Sequence, residues 1–122
     1  MANPNIVLTA SILGRTDVQI VGTSPAAITT NSTNSGLVYK VNLLQVANVN
    51  GTNPFDVSAS LLRGSTDYYI SKVVAVPADG TLVIIGKENP IYLNEGDAIY
   101  LEGEAAANLH AICSYEIISE VA

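Results

Sequence analysis

Phe55-Asp56-Val57-Ser58-Ala59-Ser60-Leu61 decides the fold. Its odd positions are apolar and its even positions polar, the period of a strand with one face on a core and the other turned outward. Upstream, Leu37-Val38-Tyr39-Lys40-Val41-Asn42-Leu43 alternates in the same way, and Leu44, Val46 and Val49 carry the pattern on with inverted parity. A single slip flips every later side chain to the opposite face, so a bulge or bend near Leu43-Leu44 is expected. Between the two runs lies Asn50-Gly51-Thr52-Asn53-Pro54, dense in residues that preset turns, which reads as a hairpin connection.

Further turn signals fall at Arg63-Gly64-Ser65-Thr66-Asp67, Pro77-Ala78-Asp79-Gly80, Asn89-Pro90 and Asn94-Glu95-Gly96-Asp97. They leave strand-length segments at Tyr68–Val76, Thr81–Ile85, Ile91–Leu93, Ala98–Leu101 and Leu109–Ile118. Near the start, Ile6–Leu13 and Asp17–Val21 are expected to form a hairpin across Gly14-Arg15, followed by a short strand Ala27–Thr30 and an exposed loop from Asn31 to Gly36. Only Ala105-Ala106-Ala107-Asn108 favours a helical turn, and it is too short to stand alone. The expectation is an all-β, antiparallel β-sandwich of about eight or nine strands without helix.

At 122 residues the chain has room for one core, so 1–122 is read as a single domain. Apolar residues make up 48% of it, with no Trp and one Phe, and charged residues only 13%. Asn, Ser and Thr must therefore supply most of the polar surface, which is lightly hydrated and suited to being covered. A net charge of −6, with five scattered basic residues (Arg15, Lys40, Arg63, Lys72, Lys87), argues against nucleic acid as a partner. No apolar run approaches the length of a membrane span and the N-terminus does not read as a signal peptide, so the expectation is a soluble protein made in a cytoplasm. Leu82-Val83-Ile84-Ile85 is a β-prone, uncharged run that belongs either in the middle of a sheet or at an assembly contact.

Few residues suggest chemistry. His110 is the only histidine and Cys113 the only cysteine, and residues three apart on a strand point to opposite faces, which separates the pair. One Cys and one His cannot close a zinc site. Glu95 and Asp97 flank Gly96, and Glu102 and Glu104 flank Gly103, offering oxygen ligands whose spacing matches no dedicated calcium loop. Asn31-Ser32-Thr33 and Asn50-Gly51-Thr52 fit the glycosylation pattern but read as turn residues. Tyr68, Tyr69, Tyr92 and Tyr100 are the candidates for a stacking platform, with half-buried sheet tyrosines as the plainer reading. No catalytic, cofactor-binding or metal-binding residue is therefore assigned, and no cofactor is expected.

Several stretches resemble small virion proteins of tailed bacteriophages, particularly those of cyanobacteria and marine bacteria. They are Val76-Pro77-Ala78-Asp79-Gly80-Thr81-Leu82-Val83-Ile84, Ile91-Tyr92-Leu93-Asn94-Glu95-Gly96-Asp97-Ala98-Ile99 and Cys113-Ser114-Tyr115-Glu116-Ile117-Ile118-Ser119. The opening Met1-Ala2-Asn3-Pro4-Asn5-Ile6-Val7 and the central Val46-Ala47-Asn48-Val49-Asn50-Gly51-Thr52-Asn53 are similar to the same group. The resemblance implies a jelly-roll-like sandwich added to a virion, as a capsid decoration or cement protein bridging major capsid subunits, commonly as a homo-oligomeric trimer. It carries no active-site residues. The alternatives are a tail, neck or fibre-associated adaptor, or a carbohydrate- or receptor-binding module of the virion. Contacts with other copies or other virion proteins are expected at edge segments near the termini and at the Asn31–Gly36 and Asn50–Pro54 loops.

Overall fold

The computed structural model describes residues 11–119. Among them are nine strands and no helix: β1 (Ser11–Ile20), β2 (Ala26–Thr30), β3 (Val38–Asn48), β4 (Phe55–Arg63), β5 (Thr66–Val76), β6 (Thr81–Ile85), β7 (Ile91–Leu93), β8 (Ala98–Gly103) and β9 (Leu109–Ser119). One sheet has the order β1-β9-β3-β6, with β7 also paired to β3, and the other the order β2-β8-β4-β5. Every pairing is antiparallel.

The pairings nest. β4 pairs β5, β3 pairs β6 and β7, β2 pairs β8, and β1 pairs β9. The chain is thus one long doubled ribbon, folded at Gly64-Ser65 and rolled so that successive rungs fall alternately in the two sheets. This is the strand order of a jelly roll. The fold of the ribbon needs a backbone that turns back within two residues, and Gly64 adopts a φ of 65°, where a side chain would be strained.

The core lies between the sheets. Val57 and Ala59 of β4 lie beside Ile99 and Leu101 of the neighbouring β8 on one sheet, and the other sheet supplies Val41, Leu44 and Val46 of β3 with Ala111 and Cys113 of β9. Leu44, Ile85, Leu93, Ile99, Leu101 and Leu109 are the largest aliphatic side chains buried there, each contributing about 1.5–3 kcal/mol on removal from water. The inverted parity of β3 has the expected cause, displaced slightly. Its register against β9 shifts between Val41 and Leu43, so Asn42 is the inserted residue, and Tyr39 and Val41 share the inner face with Leu44 and Val46.

Two expected connections differ. Gly14 and Arg15 do not form a turn: they lie within β1, which pairs with β9 over ten consecutive positions without a register shift. Gly-Arg carries little turn preference, and β9 supplies a continuous partner that a local hairpin cannot match. The part of the expected Ile6–Leu13 strand before Ser11 lies outside the described residues. The Asn50–Pro54 segment is not a hairpin either, because β3 and β4 belong to different sheets and this segment crosses between them.

Candidate functional site

Cys113 and His110 both lie on β9 and are brought to opposite faces, as their spacing requires. Cys113 is fully buried among core side chains, whereas His110 is exposed on the outer face. Burial pushes the Cys113 thiol up to about 11, so it is neither a nucleophile nor a ready metal ligand at neutral pH.

The acidic turns are occupied by the fold. Asp97 is buried and takes Arg63 in a forked pair, with Nε at 3.0 Å from Oδ1 and Nη2 at 2.6 Å from Oδ2, and it also accepts the backbone N–H of Asn94 at 2.8 Å. The hydrogen bond from the guanidinium to Asp97 raises the Arg63 pKa further above its ordinary value. Glu95 Oε2 accepts the N–H of Gly36 at 2.7 Å, and Glu104 Oε1 accepts that of Asp56 at 2.9 Å. Among the described residues, no three His, Cys, Asp or Glu side chains come together as a metal-binding group.

The four candidate tyrosines do not form one platform. Tyr69 and Tyr100 border the same depression on the β2-β8-β4-β5 sheet, with Ser60, Asp67 and Glu102, but its free volume is only about 20 Å³, room for a water and not for a sugar ring. Tyr69 is further covered by Lys72, whose Nζ lies 4.7 Å from the ring centre. Tyr92 pairs with Lys40 on the opposite sheet. Tyr39 and Tyr115 are core residues, stacked with ring centres 5.0 Å apart.

The two loops expected to be free are anchored at buried asparagines. Asn31 is fully buried; its Nδ2 donates to the carbonyls of Leu37 at 2.9 Å and Leu93 at 3.0 Å, and its Oδ1 accepts the Ser35 hydroxyl at 2.6 Å. Asn48, also buried, donates from Nδ2 to the carbonyls of Asn53 and Val76 and accepts the N–H of Asn50. Each amide ties together connections that cross between the sheets, supplying donors and acceptors that no ladder provides there. In the sequence Asn31 looks like an ordinary loop residue and Asn48 like a polar position in a strand, and their burial carries no local signal.

What remains accessible is the surface of the sheets, above all β1. The Asp17 carboxylate accepts hydrogen bonds from Thr29 of β2 at 3.0 Å and from the Tyr115 hydroxyl at 2.9 Å, which fixes the odd positions of β1 on the side of the opposite sheet. Burial, reinforced by Asp17, pushes Tyr115 up to about 12. The even positions Ile12, Val18 and Ile20 then point outward, with exposures of 58%, 73% and 63%. Beside them His110 and Ile112 of β9 complete a shallow, open and mainly apolar depression with Val18 and Ile20. Leu82-Val83-Ile84-Ile85 falls in β6 at the other end of this sheet and not in its middle, with Val83 exposed.

No family model and no curated protein sequence matches the chain. Several solved structures are similar in shape, among them the following two. One is a chain of Bacillus endospore appendages, described as disulfide-linked pili, at 16% identity and a TM-score of 0.48 over 89% of this chain and 88% of that one. The other is the nucleoplasmin-like N-terminal domain of Drosophila FKBP39, at 12% identity and a TM-score of 0.41 over 88% of each chain. Likeness at this level leaves open what the present chain does.

Proposed function

We propose that this protein is a non-catalytic structural subunit of a virion, a capsid decoration or cement protein whose work is done by covered surface. The observation that carries the reading is the exposed apolar sheet surface. Among the described residues, nine large apolar or aromatic strand side chains stand at least 42% exposed, four of them on β1 alone, on a chain with few charges. Surface of this kind is unusual on a solitary protein and is characteristic of one that is covered in its working state.

The jelly roll itself does not choose between roles, since the same architecture serves capsid and lectin domains. The choice rests on the site. A glycan-binding role is disfavoured by the dispersal of the tyrosines and by the small size of the depression between Tyr69 and Tyr100. A catalytic role has no constellation to support it, with His110 and Cys113 on opposite faces. The resemblance to small phage virion proteins supplies the proposed setting: a shell on which many copies each add a weak contact between major capsid subunits, stabilising the assembled shell through their number. Clustering in threes is the stoichiometry that the resemblance implies.

Immunogold labelling of tailed phages of marine bacteria or cyanobacteria whose genomes carry this sequence tests the reading. Regularly spaced label over the head is expected. Label confined to the neck, tail or fibres would replace the decoration role by the adaptor role, and particles without label would overturn both.

A further inference from the structure

We propose that β1 is a self-pairing edge: two copies join β1 to β1, antiparallel, about a two-fold axis beside Thr16, so that one sheet runs continuously through both. The proposal rests on the assembly reading above and names the occupant of its most exposed surface.

The four edges among the described residues are treated differently by the fold. β2 and β6 have five residues each and β7 three, too short to template a long ladder. β5 is long, but its register against β4 shifts twice, and it carries Lys72 and a Val73 held at a φ of 51°. Bulges, lysines and shortness are the usual guards against edge-to-edge association. β1 has none of these three, with ten residues, unbroken register, no Pro and no Lys, and the two charges it turns inward, Arg15 and Asp17, are of opposite sign.

Its sequence is also complementary to itself. In an antiparallel pair, opposed residues share a face, so a second copy centred at Thr16 sets Ile12 against Ile20, Gly14 against Val18 and Thr16 against Thr16 on the outer face. On the inner face it sets Leu13 against Gln19 and Arg15 against Asp17, each pair occurring twice by symmetry. Arg15 stands beside the Tyr115 hydroxyl, and both hydrogen bonds to Asp17 end on Oδ2, leaving Oδ1 to receive Arg15 of the second copy.

Neighbouring registers are worse. A slip of one residue puts the inner face of one copy beside the outer face of the other. The two nearest registers that keep the faces matched set Arg15 against Arg15 or Asp17 against Asp17, and like charges directly opposite destabilise a pair. Charge therefore selects the register in which the apolar residues also meet. Such a contact is isologous and closes on two copies; in a three-fold cluster it would be a second, separate interface linking one cluster to the next.

Oxidative cross-linking of Thr16→Cys in the otherwise native chain reads the register directly. Opposed residues in an antiparallel pair have Cα atoms about 4.5–5.5 Å apart, within disulfide reach, and the native Cys113 is buried and will not compete. A disulfide-linked dimer is expected for Thr16→Cys and not for Ser11→Cys, which has no counterpart across the axis. Adding Arg15→Glu should weaken dimerisation about tenfold in sedimentation equilibrium, since two attractive pairs become repulsive. Self-association without the Thr16→Cys cross-link would overturn the edge pairing while leaving the structural role intact. A chain that stays monomeric at millimolar concentration would also overturn the pairing, and the particle-labelling result then judges the structural role separately.

Discussion

Removing the Asn31 side chain should cost more stability than any other single change to a polar loop residue. Asn31→Ala takes the donor from two carbonyls, those of Leu37 and Leu93, and the acceptor from the Ser35 hydroxyl, while the backbone bonds from Asn31 N to Asp97 O and from Gly96 N to Asn31 O survive. The Leu93 carbonyl is bonded in a buried position, where a lost partner costs about 1–3 kcal/mol. The other two bonds are part-buried, and water recovers a portion of each. The sum is about 2–4 kcal/mol, a large share of the roughly 5–15 kcal/mol that stabilises a domain of this size. At about 4 °C per kcal/mol, thermal unfolding followed by circular dichroism should show Tm lowered by about 8–16 °C. The exposed neighbour provides the control, since Ser32→Ala should leave Tm nearly unchanged. If Asn31→Ala melts within about 2 °C of the native chain, the amide is not the tie described above and the reasoning from buried hydrogen bonds fails.

Four further outcomes follow from the structure. Leu101→Ala empties a fully buried position between the sheets and should cost about 2–5 kcal/mol in urea unfolding. Cys113 should resist thiol reagents at pH 8, where a pKa of about 11 leaves only about 0.1% as thiolate, and should react at once in urea. Both Cys113 and Tyr115 have folded-state pKa values raised above the ordinary 9.0 and 10.0 of the free groups, so the unfolded chain loses these protons first as pH climbs. Stability is therefore complete below pH 9 and should fall as pH rises through about 11 and 12, measured as a declining urea midpoint. Arg63→Met should cost about 1–3 kcal/mol in urea unfolding, because the arginine is half exposed but the Asp97 carboxylate it leaves behind is buried and keeps only the Asn94 N–H.

The sandwich was legible wherever side chains alternate. β4, β6 and β7 begin where the pattern predicts, and the flip in β3 announced a bulge that the structure places one residue away, at Asn42. Connectivity was less legible. Gly14-Arg15 and Asn50–Pro54 look like local turns, yet one continues a strand and the other changes sheet, because pairing across the ribbon outweighs what two or five residues prefer by themselves. The separation of His110 from Cys113 followed from strand geometry alone. The roles of Asn31, Asn48 and Asp97 did not, since a turn asparagine and a buried one are written with the same letter and differ only in which distant carbonyls come near. The complementarity of Ile12, Arg15, Asp17 and Ile20 was present in the sequence but hidden by the expected hairpin, which put Gly14 at a bend in place of the middle of an edge.

The nested ribbon also sets an order of events. Its tip at Gly64-Ser65 joins neighbours in the chain, whereas the outermost rung brings together residues as far apart as Asp17 and Tyr115, 98 positions along the sequence. Closing short loops is fast and closing long ones slow, so folding should zip from the tip outward, with β9 sliding between β1 and β3 at the end. During synthesis β1 emerges first and waits longest, its greasy flank bare while every other strand is being made. The first of the described strands therefore stays without a sheet partner until the last of them has been made.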